Sequence, residues 1–310
     1  MSLRRTWMLA VCVCGAVAIL PGSATAQTNV LKEAVTTADQ QQIRFSYYPA
    51  LKDKGVPQEA PVAILLHGAG GSRIVWDKGS APPGGKSFPE TLQNEGFAVL
   101  TVDLRKHGES VTAGRDEKIF PDDYAKMSRG DLVAIKDFLK AEHQKKLLNM
   151  SKIGIVAADM SCPVAADFAE YDWRLTPYDD APVYENRTPR GQDVRALVLL
   201  SPDTVSGRLQ TSRSMNYLRD PQLGIALLVI SGKKDAQDKG ASKKIYDLFK
   251  GKMESSVERV YISDPDLKNR GTDLLLKAPN LVETPILKFL VKHVKDLVVP
   301  WRDRRSKLEL

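Results

Sequence analysis

The stretch KIGIVAADMSCPVAADFA, residues 152–169, decides the fold. Its first part, residues 153–157, is an unbroken apolar run, as a strand buried on both faces requires. Ala157-Ala158-Asp159-Met160-Ser161 is a turn with small residues on either side of Asp159. Residues 162–171 then follow as a helix. A strand that turns directly into a helix is the repeating unit of a parallel sheet with crossover helices. Asp159 stands at the helix N-terminus, where backbone N–H groups and the helix dipole favour an anion.

The same alternation continues on both sides. Residues 30–37 and 43–48 predict a hairpin, with the polar residues 38–41 as its turn. Residues 62–67 (VAILLH), 97–102 (FAVLTV), 194–200 (VRALVLL), 225–231 (IALLVIS) and 258–262 (ERVYI) predict further strands. Ser87-Phe88-Pro89-Glu90 predicts a capping box that opens a helix to Glu95. Leu132, Ile135, Phe138 and Leu139 give residues 131–142 helical spacing. Another helix is expected near residues 241–249. Thr284 is expected to cap a last helix with Pro285 at its first position, burying Ile286, Phe289, Leu290 and Val294. The pattern implies an α/β protein with a mainly parallel central sheet, helices on both faces, and functional loops at the carboxyl ends of the strands. Residues 172–193 are polar and Pro-rich and read as a surface excursion. Residues 201–224 are too few for a full helical lid, so no large cap and a fairly open site are expected.

The chain has 310 residues, enough for one large α/β domain or two small ones, and no shift in composition marks a second. It is 43% hydrophobic, so a sizeable core is expected. Lys and Arg outnumber Asp and Glu by 45 to 38, a modest excess that favours solubility. The densest basic run, 301–307 (WRDRRSK), reads as part of a solvated basic tail over 300–310. It lacks the aromatic interleaving of a nucleic-acid site, and no nucleic-acid partner is expected. At the other end, Arg4 and Arg5 precede an apolar run over 7–20. Pro21-Gly22 breaks it, and Ala24-Thr25-Ala26 is an A-x-A cleavage signature. Residues 1–26 read as a secretory signal peptide. An uncleaved anchor is the alternative, for which the run is short, since a span needs roughly 20 residues. The expectation is an exported protein, periplasmic or extracellular, starting at Gln27. Its folded domain would cover 27–299, with no membrane attachment after cleavage. Cys12 and Cys14 leave with the signal. Cys162 then stands alone, so no internal disulfide forms.

Four segments, in order and at fitting intervals, carry a resemblance. They are Leu66-His67-Gly68-Ala69-Gly70-Gly71, then Asp103-Leu104-Arg105-Lys106-His107-Gly108-Glu109-Ser110, then the opening stretch, then Gly232-Lys233-Lys234-Asp235. Together they resemble the α/β-hydrolase superfamily over nearly the whole chain that follows residue 26. The resemblance implies a single-domain α/β-hydrolase fold. It makes the first segment an oxyanion loop, with His67, Gly68 and Ala69 acting beside Met160. The second resembles the loop after the fourth strand, D-x-R-G-x-G-x-S. The third resembles the nucleophile elbow, and the fourth presents Asp235 as the triad acid.

The departures from that pattern bear on function. The elbow normally reads G-x-S-x-G. In this frame Asp159 takes the nucleophile position. Ser161 is the alternative, and would put Asp159 and Pro163 where small residues are wanted. The family's histidine has its place in Asn269-Arg270-Gly271-Thr272, where Arg270 stands instead. Arginine keeps its proton and cannot serve as a general base, and a triad needs one. Haloalkane dehalogenases and epoxide hydrolases of the superfamily do use an Asp nucleophile, but their alkyl-enzyme ester is hydrolysed with help from the histidine. His67, His107, His143 and His293 all read as structural. The expected arrangement is an Asp159–Arg270–Asp235 ion network, with the Asp159 anion held by N–H groups of Met160 and the loop near Ala69. Three functions are weighed. The leading one is non-catalytic binding of a small ligand or protein partner through the old cleft. The alternative is hydrolysis of esters or alkyl compounds through Asp159. The third is a structural protein whose cleft has closed around the network. No cofactor is implied. Asp264, Asp266 and Asn269 read as a polar turn and not a metal site, because their spacing matches no known loop. Cys162 reads as a small packed residue.

Overall fold

The computed structural model describes residues 30–78, 85–112, 118–251 and 258–308. The leader read at residues 1–26 lies outside them. Eight strands form one sheet: β1 Leu31–Thr36, β2 Gln42–Tyr48, β3 Val62–Leu66, β4 Ala98–Val102, β5 Ile153–Ala158, β6 Val194–Leu200, β7 Ala226–Ile230 and β8 Val260–Ser263. Their spatial order is β1-β2-β4-β3-β5-β6-β7-β8. The β1–β2 and β2–β4 pairs are antiparallel. Every other pair is parallel. β3, β4, β5 and β7 are buried at every position. This is why their sequences run apolar without alternation.

Helices cover both faces. They are α1 Ile74–Asp77, α2 Phe88–Asn94, α3 Pro121–Lys126, α4 Leu132–Gln144, α5 Ser161–Arg174, α6 Thr211–Leu218, α7 Ala241–Lys250, α8 Asp273–Lys277 and α9 Pro279–Leu290. One core joins Ile64, Leu100, Ile155 and Leu197 of the sheet to Leu139 of α4, Phe168 of α5 and Phe249 of α7. The other joins Leu65, Val99, Val156 and Val198 to Phe88 of α2 and Ile286 and Leu290 of α9. Adjacent strand residues thus feed opposite cores. The Ser87 cap is present in part as expected, with Glu90 accepting the Ser87 N–H at 2.6 Å.

Several expectations need correction. The last helix starts at Pro279, not Pro285, which lies inside α9. Pro279 takes the first position, where a missing N–H is harmless. Pro285 is carried by the apolar face around it, since Val282, Ile286 and Leu290 are all fully buried. The basic C-terminal segment is not a solvated tail. Trp301 stacks on His143 with ring centroids 4.7 Å apart and donates its indole N–H to the His143 carbonyl at 3.0 Å. Arg304 is 3% exposed and bonds Asp193 and Ser151. The segment therefore straps onto α4 and the start of β6 and is continuous with the domain read as ending at 299. The polar excursion after α5 is anchored by Asp172 and Asp193, both fully buried and both paired with Lys136.

Residues 201–224 form no lid. They make a short hairpin, Val205–Ser206 with Leu209–Gln210, and then α6. Met215 and Leu218 pin α6 into the core. Among the described residues no helix is long and apolar enough to cross a membrane.

Candidate functional site

The site lies at the carboxyl ends of β5, β6, β7 and β8. Asp159 follows β5 in the left-handed region, with φ +46°. A non-glycine residue there is uncommon and strained. The turn is held by a Ser161 hydroxyl that bonds both the N–H and the carbonyl of Ala158 at 2.9 Å. Ser161 is fully buried in that role, so Asp159, and not Ser161, points into the site. Cys162 is also buried, with its thiol directed at the Ala157 carbonyl at 3.3 Å. Burial pushes that thiol well above its ordinary range. It packs, as expected, and is not a thiolate.

Arg270 arrives from the loop after β8. That loop hangs on the one after β7, where Lys233 and Lys234 donate N–H groups to the Pro265 and Leu267 carbonyls at 2.9 Å. A Cβ on Gly232 would come within 2.6 Å of the Leu267 oxygen. The glycine permits the approach, and Arg270 is delivered beside Asp235. The guanidinium places Nη1 2.9 Å from Asp235, Nη2 2.6 Å from Asp203, and Nε 3.2 Å from Asp159. Asp235 also accepts the Gln237 N–H at 2.8 Å. The structure thus brings together Asp159, Arg270 and Asp235. It adds Asp203, which the sequence reading missed. The available signal was its place just past the end of a core strand, where α/β proteins collect functional groups.

The three carboxylates share one guanidinium, so the network is not balanced in charge. Asp159 is the least well held. Its Oδ1 is buried and accepts no hydrogen bond, and the Arg270 contact is a charge contact only. Burial raises the Asp159 carboxyl to about 7, against the pull of Arg270 and with the push of Asp203 and Asp235. The expected anchoring by the oxyanion-like loop is not observed. Among the described residues, the Met160 and Ala69 N–H groups make no hydrogen bond to Asp159. The carboxylate is instead pressed between two glycines. A Cβ on Gly68 would lie 2.3 Å from its Oδ2, and one on Gly271 only 2.1 Å from it. Asp159 thus fills the space that side chains at Gly68 and Gly271 would need.

The histidines are committed elsewhere. His67 is fully buried, has Nδ1 2.8 Å from the Gly68 carbonyl, and accepts the Leu104 N–H at 3.2 Å. Burial holds it down at about 3. His107 directs Nδ1 to the Arg105 carbonyl at 3.0 Å. His143 accepts the Met150 N–H at 3.2 Å and is covered by Trp301. His293 meets the Tyr261 hydroxyl at 3.1 Å. The chain has four histidines, and these are all of them.

A cavity of about 280 Å³ opens beside the network. It is lined by Asp203, Thr204, Gln237, Lys239, Lys244 and Arg270, among others, and not by Asp159. Among the described residues, no cluster of His, Cys, Asp or Glu is arranged to hold a metal ion. Asp266, of the oxygen-rich turn, pairs with Lys234 at 2.8 Å.

The sheet order, the strained turn after β5 and the acid after β7 define the α/β-hydrolase fold. Solved structures bear this out. An esterase of Pyrococcus furiosus aligns over 86% of this chain and 92% of its own, with 18% identity and a TM-score of 0.60. The α/β hydrolase GrgF of a Penicillium species aligns over 86% and 99%, with 14% identity and a TM-score of 0.53. An acylaminoacyl peptidase of Pyrococcus horikoshii covers 90% of this chain with 44% of its own length, at 13% identity and a TM-score of 0.57. Each is similar in fold. No family model and no curated protein matches the sequence.

Proposed function

We propose that the protein is a non-catalytic member of the α/β-hydrolase fold. It is exported after cleavage following Ala26 and binds a small polar ligand at the rim of the former active-site cleft. One observation carries this reading: Arg270 stands between Asp235 and Asp159, where a base would have to act, and holds three carboxylates at once. A guanidinium cannot take a proton from a nucleophile or a water. The cavity over Asp203 and Arg270 supplies the binding volume and offers donors and acceptors of both signs. Covering of Asp159 itself is also what a purely structural protein would have. The rim cavity favours binding over that reading.

A second reading has one observation in its favour. A carboxyl raised to about 7 lies where proton-transfer groups work best. On that reading the protein hydrolyses esters or alkyl compounds through Asp159. Turnover decides between the two. The purified protein and Asp159→Ala are assayed on short-chain aryl esters and haloalkanes. We expect no activity above buffer, or equal activity in both. Activity that disappears in Asp159→Ala would overturn the non-catalytic reading.

A further inference from the structure

A second cavity lies at the opposite end of the sheet, beside the amino ends of β5 and β6. Its volume is about 140 Å³. α4 supplies Lys136, Asp137 and Lys140. The excursion after α5 supplies Tyr178 and Arg190, and the C-terminal strap supplies Arg304. Four of these six are cations.

Accounting for donors shows which cations are free. Lys136 donates to Asp172 and the Arg190 carbonyl and makes a charge contact with Asp193. Arg304 spends its Nη groups on Asp193, Ser151 and the Pro189 carbonyl. Its Nε is buried and has no partner. Lys140 and Arg190 make no ion pair among the described residues. Both lie over the Tyr178 ring, at 5.7 and 5.1 Å from its centroid. The ring holds two cations at one mouth, where they would otherwise repel. Asp137 is the one carboxylate lining the cavity. Asp172 and Asp193 lie behind it and are consumed by Lys136 and Arg304.

We infer that this cavity is a binding site for a small, doubly charged oxyanion, either free phosphate or the phosphate end of a phosphomonoester. Lys140 and Arg190 would donate from the mouth. A volume of this size suits a phosphate group and excludes the body of a larger ligand, which would project past Tyr178. The site is independent of the network at Asp159.

The test is titration of the full chain with inorganic phosphate, phenyl phosphate and acetate at matched ionic strength, read by calorimetry and by the thermal midpoint in phosphate against chloride. We expect 1:1 phosphate binding, a raised midpoint, and at least tenfold weaker binding in Lys140→Ala/Arg190→Ala. The midpoint of that variant in chloride should be unchanged. If it falls, Arg190→Gln alone is used, with severalfold weakening expected. Phenyl phosphate tighter than phosphate would identify a phosphomonoester, and the reverse would identify the free ion. No heat and equal midpoints in phosphate and chloride would overturn the inference. So would variants that bind as the parent does, or acetate that binds as well as phosphate.

Discussion

At the scale of single residues, Asp159 is a charge held at a cost. Its folded carboxyl lies near 7 because it is largely withdrawn from water and its Oδ1 accepts no hydrogen bond, whereas an unfolded Asp ionises near 3.9. A raised value means that the native state holds the proton more tightly. The stability this confers is complete below about pH 4 and is lost as pH rises through 7. Asp159→Asn removes that loss. We expect the variant to match the parent near pH 4 and to exceed it progressively to pH 7, by about 2–4 kcal/mol above that. Urea denaturation at several pH values measures the difference. Gly271 makes a second test. It has φ +52°, and a Cβ would enter the space of the Asp159 carboxylate. Gly271→Ala should destabilise by about 1–3 kcal/mol. The cost should shrink in an Asp159→Ala background, because the collision is then gone. A double-mutant cycle gives the difference directly.

At the scale of elements, strands were easier to read than helix ends. Buried parallel strands announce themselves by runs such as VAILL and VRALVLL, and each appears within a residue or two of its expected bounds. The elbow was legible for a related reason, since small residues around a tight turn leave a mark in the sequence. Asp203 was legible only as a position past the end of β6, and not as a partner of Arg270, which is 67 residues away and brought to it by the sheet. Pro285 misled for a local reason: proline at a helix start and proline tolerated inside a helix look alike until packing is known. Its ring removes the N–H that would reach the Leu281 carbonyl. Pro285→Ala should therefore stabilise the protein by about 1 kcal/mol or more, seen as a higher thermal midpoint.

At the scale of the whole molecule, the two ends of the sheet are stapled by different charge networks. Arg270 ties together the loops after β5, β6, β7 and β8 at one end. Lys136 and Arg304 tie α4, the excursion after α5 and the C-terminal strap at the other. A tail judged on composition alone looks solvated, because six polar or charged residues beside one Trp carry no sign of the buried Asp193 that Arg304 meets. Deleting residues 300–310 would expose the His143 ring and leave Asp193 with Lys136 alone. We expect a loss on the order of 3–5 kcal/mol, since breaking a buried pair strands a charge. A lowered urea midpoint with the far-ultraviolet spectrum retained is the result that checks it.

The burial of Cys162 has a practical consequence. Its sulfur sits beneath the strained turn after β5, packed into the core that holds Ile155 and Phe168. In a chain freed of Cys12 and Cys14, a thiol-reactive dye can reach it only when the centre of the molecule opens. The rate of dye uptake then becomes a clock for opening of the whole fold, read without adding a probe. The same chain offers a thiol-silent surface, on which one cysteine placed anywhere outside would take a label alone.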